Sequence, residues 1–156
     1  MALLRWDDSP HTSVMKVNAH EAAKVILDPE IYDRITDDNS PQLTELDLAK
    51  LGVDYFGGYV DDKIVAVTTF ERFREGVKVH FQVLKDYRHY ARDLLEKSLS
   101  GQSGAVYAHI PACFMTTINF AKHQGFKLVN IEPKCYLKYG ANHDRHLLKR
   151  EIPCHS

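Results

Sequence analysis

The sequence predicts a mixed α/β fold, in which a central sheet of six to seven strands has a parallel pair in its middle and helices on both faces. The first observation is the stretch Val77–Ser100. Apolar and polar residues alternate over Val77–Val83, as in a strand with one buried side, and the apolar spacing becomes helical over Tyr87–Leu99. The second observation is the apolar stretch Ala105–Ile110, which follows this helix. Two strands joined by a helix are expected to be parallel neighbours.

Local signals predict the elements at the start of the chain. Thr12–Val17 is a short strand, and Asn18 is suited to cap a helix that begins near Ala19. Pro29 interrupts that helix, after which a second helical turn carries Ile31, Tyr32 and Ile35. A further short helix is predicted within Leu43–Leu51, ended by Gly52.

A hairpin is predicted next. Asp54–Val60 and Lys63–Arg72 flank the turn pair Asp61-Asp62. The Gly57-Gly58 pair inside the first of these strands indicates a bulge, or a close approach by another backbone or a ligand. Because Phe73–Gly76 then turns the chain into the central strand, these three strands are expected to form an antiparallel meander.

The end of the chain predicts one helix and two strands. The helix spans Cys113–His123 and closes at Gly125, which suits a left-handed C-cap. The strands are Phe126–Tyr139 and Asp144–Glu151. A late exposed strand such as Asp144–Glu151 offers a surface for pairing with another subunit, and therefore a route to a homodimer.

Composition narrows the function classes. The 156 residues are expected to form a single domain over 1–156, and a formal net charge of -1 argues against a broad surface for nucleic acid or anionic membranes. No apolar run reaches the ~18 residues of a membrane span, and the first ten residues are too acidic for a signal peptide. Three cysteines without a CxxC pair indicate free thiols in a reducing cytoplasm.

Two stretches carry a resemblance to a known family. Val83–Asp93 reads VLKDYRHYARD and is similar to the pattern Arg/Gln-x-x-Gly-x-Gly/Ala, while Phe120–Phe126 reads FAKHQGF and is similar to Phe-Tyr-x-x-x-Gly-Phe. With the predicted order of elements, the sequence resembles the GNAT superfamily of N-acetyltransferases over nearly its whole length. It looks closest to short phage-encoded GNAT-like proteins, in which a segment like Asp28–Asp38 precedes the sheet. Some of that group carry a head-assembly label.

The resemblance implies acetyl-CoA, or another acyl-CoA, as co-substrate and no metal. It places the pyrophosphate on the backbone N–H groups of the segment 88–93 and the pantetheine arm beside the end of the central strand, in a gap between the two parallel strands. The implied cofactor-binding residues are Val83, Leu84, Arg88, His89, Tyr90, Ala91, Arg92 and Asp93. The implied reaction is direct attack on the thioester by an amine, from a small molecule or a protein, and it needs a base or a water path.

The sequence departs from the family pattern at the phosphate site and at the proton donor. Ala91 and Asp93 match the two small residues of the pattern, so Asp93 brings a carboxylate towards a site for phosphates. Asp86 is suited to cap the helix and would then occupy N–H groups that a pyrophosphate needs. Arg88 and Arg92 stand one turn apart and can offset both charges. Ala121 matches the tyrosine that often protonates the leaving thiolate.

Two histidines are candidates for catalysis. His80 projects from the central strand on the side opposite Val79 and Phe81, and it is either a base near the acceptor amine or a solvated sheet histidine. His109 ends the neighbouring strand close to where the resemblance places the thioester. His143 and His146 lie three residues apart without a further fixed ligand, so no metal site is expected.

Two functions stay open at this point. The first is a GNAT-type N-acetyltransferase acting on an amine of unknown identity. The second is a GNAT-like fold without catalytic activity, which serves as a phage virion or head-assembly component or another protein-binding module. The first places the protein in the cytoplasm, which is the host cytoplasm if a phage encodes it, and the second places it in a virion. Asp86, Asp93 and Ala121, together with the phage-like segment Asp28–Asp38 before the sheet, motivate the second function.

Overall fold

One mixed sheet of seven strands organises the protein, and the computed structural model describes residues 10–154 of it. The strands are β1 (Thr12–Val17), β2 (Tyr55–Val60), β3 (Lys63–Phe73), β4 (Gly76–Val83), β5 (Gly104–Pro111), β6 (Lys127–Lys138) and β7 (Ala141–Ile152). They lie in the order β1-β2-β3-β4-β5-β7-β6, and only β4 and β5 run parallel among the neighbouring pairs. The predicted sheet size and its central parallel pair are therefore confirmed.

Within residues 10–154, five α-helices cover the two faces of the sheet. They are α1 (Ala19–Ile26), α2 (Pro29–Ile35), α3 (Glu45–Lys50), α4 (Ala91–Leu99) and α5 (Met115–His123). The buried side chains of α1 and α3 pack with Tyr55 and Val67 on one face, and those of α4 and α5 pack with Val79 and Val106 on the other. None of the helices in residues 10–154 is long and apolar enough to cross a membrane.

The predicted boundaries of the first two helices follow from their caps. Asn18 Oδ1 accepts a hydrogen bond of 2.9 Å from the Glu21 amide, which fixes the first turn of α1. Pro29 occupies the first position of α2, where its missing N–H costs nothing, and Asp28 caps that helix by accepting from the Glu30 amide. The break between α1 and α2 is therefore encoded locally.

The predicted irregularity at Gly57-Gly58 is confirmed. The pairing of β2 with β3 shifts register between Gly58 and Tyr59, as in a β-bulge. A Cβ on Gly58 would lie 2.9 Å from the Ala66 Cβ and 3.2 Å from a Leu94 methyl group, so α4 also approaches the strand closely here.

The parallel pair forms a fork. β4 pairs with β3 over eight residue pairs and β5 pairs with β7 over eight, yet β4 and β5 pair with each other only through Val77↔Val106 and Lys78↔Tyr107. Beyond these two pairs the strands separate towards their C-terminal ends. The side of β4 that faces the fork therefore has backbone groups without a strand partner between Val79 and Val83.

Main-chain contact closes the narrow end of the fork. A Cβ on Gly76 would lie 2.1 Å from the carbonyl oxygen of Ala105, a separation that no real Cβ atom adopts. Glycine is thus required where β4 begins, because the neighbouring backbone cannot move aside as a flexible side chain would.

Two helix boundaries were predicted wrongly. Tyr87–Tyr90 belongs to a 3-10 helix that spans Lys85–Tyr90, instead of forming the first turn of the central α-helix, which begins at Ala91. The last helix begins at Met115 instead of Cys113, and Cys113 lies in the turn before it. Burial raises the pKa of the Cys113 thiol, so the environment disfavours the thiolate.

The expectation that Asp144–Glu151 is an exposed strand, able to pair with another subunit, was also wrong. β7 lies between β5 and β6, hydrogen-bonded on both sides, so Asp144–Glu151 offers no free edge to another subunit. β6 is the edge strand on that side, and Leu128, Val129 and Ile131 on it are exposed. Its pairing with β7 shifts register twice, and Pro133 lies within the second shift, which interrupts the edge for pairing with a further strand.

Candidate active site

The fork opens into an apolar cavity, which we call the inner chamber. It lies between β4, β5 and α5 and has a volume of about 130 Å³. Residues 79–82 of β4, residues 108–111 of β5 and the α5 residues Thr117, Phe120 and Ala121 line it. The separation of the two parallel strands therefore produces a slot with β4 and β5 on two sides and α5 on the third.

A second cavity, the outer chamber, continues the slot towards the start of α4. It has a volume of about 190 Å³, and its lining includes Val83 at the end of β4, Arg88 and Ala91. Thr117 and Phe120 belong to both chambers, so the two form one path along α5. The path leads from the 3-10 helix to the centre of the sheet.

Arg34 lies where the two chambers meet. It lines both of them, donates a hydrogen bond of 3.1 Å from Nη1 to the Thr117 hydroxyl, and stacks its guanidinium 5.5 Å from the centre of the Phe114 ring. Thr117 and Ala121 are four residues apart on α5 and therefore share one face of that helix. A permanent cation thus stands one turn away from the side chain that replaces the expected tyrosine.

A third cavity, the second cleft, lies on the α1 side of the sheet between α1, α3, β3 and β4, with a volume of about 250 Å³. It shares His80 and Gln82 of β4 with the inner chamber. The strand is therefore the common wall between a slot on one side and a cleft on the other. The slot and the cleft therefore approach each other at these two residues.

His80 is paired with a carboxylate from the neighbouring strand. Its Nε2 lies 2.9 Å from Glu71 Oε1, and Glu71 also bonds Lys78 Nζ at 3.2 Å. These contacts, that with His80 foremost, lower the pKa of Glu71. Because a carboxylate can only accept, Nε2 of the neutral imidazole carries the proton and Nδ1 keeps its lone pair. Such an arrangement suits a general base.

His109 differs in that both of its ring nitrogens are engaged. Nδ1 lies 3.1 Å from Lys78 Nζ and Nε2 lies 3.0 Å from Glu132, which Arg145 also binds. Its side chain is 10% exposed, and burial, with help from Arg145 and Lys78, lowers its pKa from an ordinary value of 6.5 to about 4. The lysine ammonium must donate to Nδ1, so this lone pair is not free to take a proton from a substrate.

The stability of the protein is expected to fall as the pH drops from about 6.5 towards 4, partly because of His109. In the unfolded chain this imidazole takes up a proton near pH 6.5, whereas the folded protein resists protonation until about pH 4, so the unfolded state binds more protons in that window. The His109→Gln variant is expected to lose less stability there, by an amount on the order of 2 kcal/mol. Urea unfolding at pH 7.0 and 4.5 measures the difference, and parallel losses in both proteins would contradict the prediction.

The predicted cofactor-binding residues fall into two groups. Val83, Arg88 and Ala91 line the outer chamber. Leu84, His89, Tyr90, Arg92 and Asp93 do not line it. The Leu84 amide donates to the Val65 carbonyl and the Ala91 amide donates to the Arg88 carbonyl, so these two N–H groups are already used.

Neither of the two aspartates disturbs the slot as the sequence suggested. Asp86 lies within the 3-10 helix and makes no capping hydrogen bond, and the residue before α4 is Tyr90. The Asp93 carboxylate accepts a hydrogen bond from the Thr12 hydroxyl on β1 and pairs with Lys97 at 3.5 Å. This carboxylate is thereby held beside β1.

The sequence did not single out Arg34, Glu71, Gln82 or Thr117. Glu71 is recognised once the register of β3 with β4 is known, because that register places its side chain diagonally across from His80 on the same face. Arg34 gave no local signal, since its contact with α5 spans 83 residues. Within residues 10–154, no group of three His, Cys, Asp or Glu side chains is arranged to hold a metal ion.

Comparisons with known proteins give matches in structure. No protein-family model and no curated protein matches the sequence. An N-acetyltransferase from Staphylococcus aureus Mu50 is similar with a TM-score of 0.71 at 14% identity, covering 90% of this chain and 97% of that one. The ribosomal-protein-S18-alanine N-acetyltransferase from Escherichia coli gives 0.69 at 14%, covering 94% and 97%.

A third solved structure is described as a GNAT superfamily phosphinothricin acetyltransferase from Sinorhizobium meliloti in complex with acetyl-CoA. It gives a TM-score of 0.71 at 16% identity, covering 91% of this chain and 89% of that one. All three cover about nine tenths of both chains, so the similarity extends over the whole sheet and its helices. The chain therefore has the fold of the GNAT N-acetyltransferases.

Proposed function

We propose that this protein transfers the acetyl group of acetyl-CoA to an amine. The observation that carries the proposal is the shared wall of β4: the slot on one side and the second cleft on the other both reach His80 and Gln82. A thioester in the slot and an amine in the cleft would meet there beside a histidine whose Nδ1 makes no hydrogen bond within residues 10–154. Bringing two reactants together in this way makes the reaction effectively unimolecular.

The fork supplies the contacts that a pantetheine arm needs. The amide groups of the pantetheine arm can hydrogen-bond to the backbone of β4 between Val79 and Val83 on the side that faces the fork, which has no strand partner there, as an added strand would. Arg88 lies at the outer end of the same path, where its guanidinium can bind the pyrophosphate. The acetyl-CoA complex of the Sinorhizobium meliloti enzyme, which has the same fold, supports the choice of acetyl-CoA as co-substrate.

The proton transfers follow from the pairing of His80. Acetyl-CoA supplies an activated acetyl group as a thioester. As the C–N bond forms and the C–S bond breaks, His80 Nδ1 takes the proton that the amine loses, and the hydrogen bond to Glu71 holds the imidazole in position and stabilises its cation. Arg34 offers positive charge to the departing thiolate, which then takes its proton from solvent.

The hypothesis of a binding module without catalytic activity has lost part of its support. It depended on Asp86 and Asp93 occupying the phosphate site, on Ala121 in place of tyrosine and on the phage-like segment Asp28–Asp38 before the sheet. Asp86 caps no helix and the Asp93 carboxylate is bound to Thr12 and Lys97, so Ala121 and that segment remain. Arg34 contacts α5 on the face that carries Ala121, and it offers another way to stabilise the thiolate. The likeness to phage-encoded proteins stays a prediction.

Calorimetric titration with acetyl-CoA tests the proposal. The Arg88→Ala variant is expected to bind acetyl-CoA about tenfold more weakly than the wild type, because one charge-assisted contact with the pyrophosphate is lost. Arg72→Ala, at an exposed arginine of β3, is the matched control and is expected to bind normally. Glu30 pairs with Arg88, so Glu30→Gln should bind at least as tightly as the wild type. Absence of binding at millimolar acetyl-CoA would refute the transferase.

A further inference from the structure

We infer that the acceptor is a small primary amine on an apolar body, such as an arylalkyl or alkyl amine, and that the second cleft holds this body. The inference rests on the proposed function and adds the chemical class of the acceptor. It excludes polyamines and hydroxylated amines as preferred substrates. Its basis is the composition of the cleft walls, the distribution of charge in the cleft and the position of His80.

The walls of the second cleft are apolar. Side chains from α2, from the segments on either side of α3 and from the sheet form them: Ile35, Leu43, Leu51, Val53, Tyr55 and Val67. The Tyr55 hydroxyl already donates to the Leu48 carbonyl at 2.7 Å, so the tyrosine presents only its ring to the cleft. An apolar group placed here gains the free energy of leaving water, whereas hydroxyl or ammonium groups would lose their hydration without a partner.

The rim of the cleft is apolar as well. Leu51 is 57% exposed, Val53 is 38% exposed and Ile35 is 37% exposed, although each of them lines the cavity. Grouped, exposed apolar side chains around a cavity are typical of a surface that a ligand covers. A ligand with an apolar body would cover these three together.

The charged and polar groups of the cleft are confined to β3 and β4. They are Glu71, His80, Gln82 and Thr69, and Glu71 is the only carboxylate in the lining. Lys78 and His80 already bind Glu71, so no second anion remains within the described lining for another ammonium group. A diamine would therefore bury one unpaired charge, which is costly.

The size and the position of the cleft fit a single small amine. Its volume of about 250 Å³ is just below the range of about 300–1,000 Å³ found for drug-sized ligands. The reacting nitrogen must reach the floor at His80 and Gln82, where the cleft shares a wall with the slot. The apolar body then extends away from β4, towards Leu51 and Val53.

Release of CoA measured with a panel of amines tests the inference. With acetyl-CoA present, 2-phenylethylamine and hexylamine are expected to give kcat/KM values at least tenfold higher than 1,4-diaminobutane or ethanolamine. A higher value for either of the latter two would overturn the inference. Absence of turnover with the two apolar amines would also overturn it, and retained calorimetric binding of acetyl-CoA would then show that the cofactor part of the proposed function had not failed.

Two surface variants test whether the amine binds in the second cleft. Leu51→Asp is expected to raise KM for 2-phenylethylamine about tenfold, because it sets a carboxylate against the apolar body. Leu46→Asp is the matched control: Leu46 is 63% exposed and lies outside the lining of the cleft. Without acetyl-CoA, 2-phenylethylamine should also shift the methyl NMR signals of Leu43, Leu51 and Val53. Equal kinetic effects of the two variants, or shifts confined to other residues, would overturn the inference.

Discussion

Replacing His80 by alanine is expected to lower kcat/KM for acetyl transfer by a factor of about 10²–10⁴. The variant loses the nitrogen that accepts the proton of the amine, and no neighbouring group can replace it. Glu71 points at the vacated position but is held by Lys78, and both nitrogens of His109 are engaged. Steady-state rates with a reactive amine over pH 5–9 measure the effect, and the limb of the profile that reports the base should disappear.

The control for this change is another exposed histidine. His123 bonds the Asn119 carbonyl within α5 and lies outside the lining of the three cavities, so His123→Ala should keep the wild-type rate and pH profile. His80→Ala should still bind acetyl-CoA in calorimetry, which separates a lost base from a lost fold. A decrease of less than about threefold, or an unchanged profile, would remove His80 from the mechanism.

Replacing Arg34 by methionine is expected to lower kcat by about 10- to 100-fold. Methionine keeps much of the apolar stem but removes the positive charge between the two chambers, next to the face of α5 that carries Ala121. Removing a donor that stabilises developing negative charge costs up to about 10²–10³ in rate, and a thiolate needs less help than an alkoxide. Single-turnover kinetics with saturating acetyl-CoA measures the chemical step directly.

Arg34→Lys tests whether the charge itself matters. Lysine keeps the charge and loses the planar donor group, so it should recover part of the rate, whereas a purely structural role through Thr117 would leave the two variants equally slow. The dissociation constant of acetyl-CoA is expected to change by less than about threefold in either variant. If only the affinity for acetyl-CoA fell and kcat did not change, Arg34 would act in cofactor binding and not in the reaction.

Local patterns in the sequence predicted most elements of the fold. Asn18 and Pro29 carry their own conformational preferences, so the first two helices were located from single residues. The 3-10 helix Lys85–Tyr90 was missed because none of its residues is buried, and without a buried stripe a period of three cannot be told from 3.6. The position of β7 inside the sheet depends on pairing between distant segments, which no local pattern records.

The candidate site was predictable in part for the same reason. His80 followed from alternation along one strand, and the parallel pair followed from one connecting helix, whereas the gap between its strands was implied only by the family resemblance. Glu71 required the exact register of a hairpin, and Arg34 required the packing of α2 against α5, two elements far apart in sequence. The second cleft arises from three helices around a sheet face, so its apolar walls could not be recognised as one surface before the fold was known.

The glycine at the start of β4 has a consequence for engineering this protein. Gly76 brings the main chains of β4 and β5 into direct contact at the narrow end of the fork. Position 76 therefore offers no side chain whose size could be changed to widen the slot. Libraries aimed at longer acyl donors should therefore vary Phe114, Phe120 and Phe126, whose rings line the inner chamber, and leave the strand origins untouched. Phe114 and Phe120 are half-buried and suit such changes best, whereas Phe126 belongs to the core, so bulk removed there is expected to lower the stability of the protein.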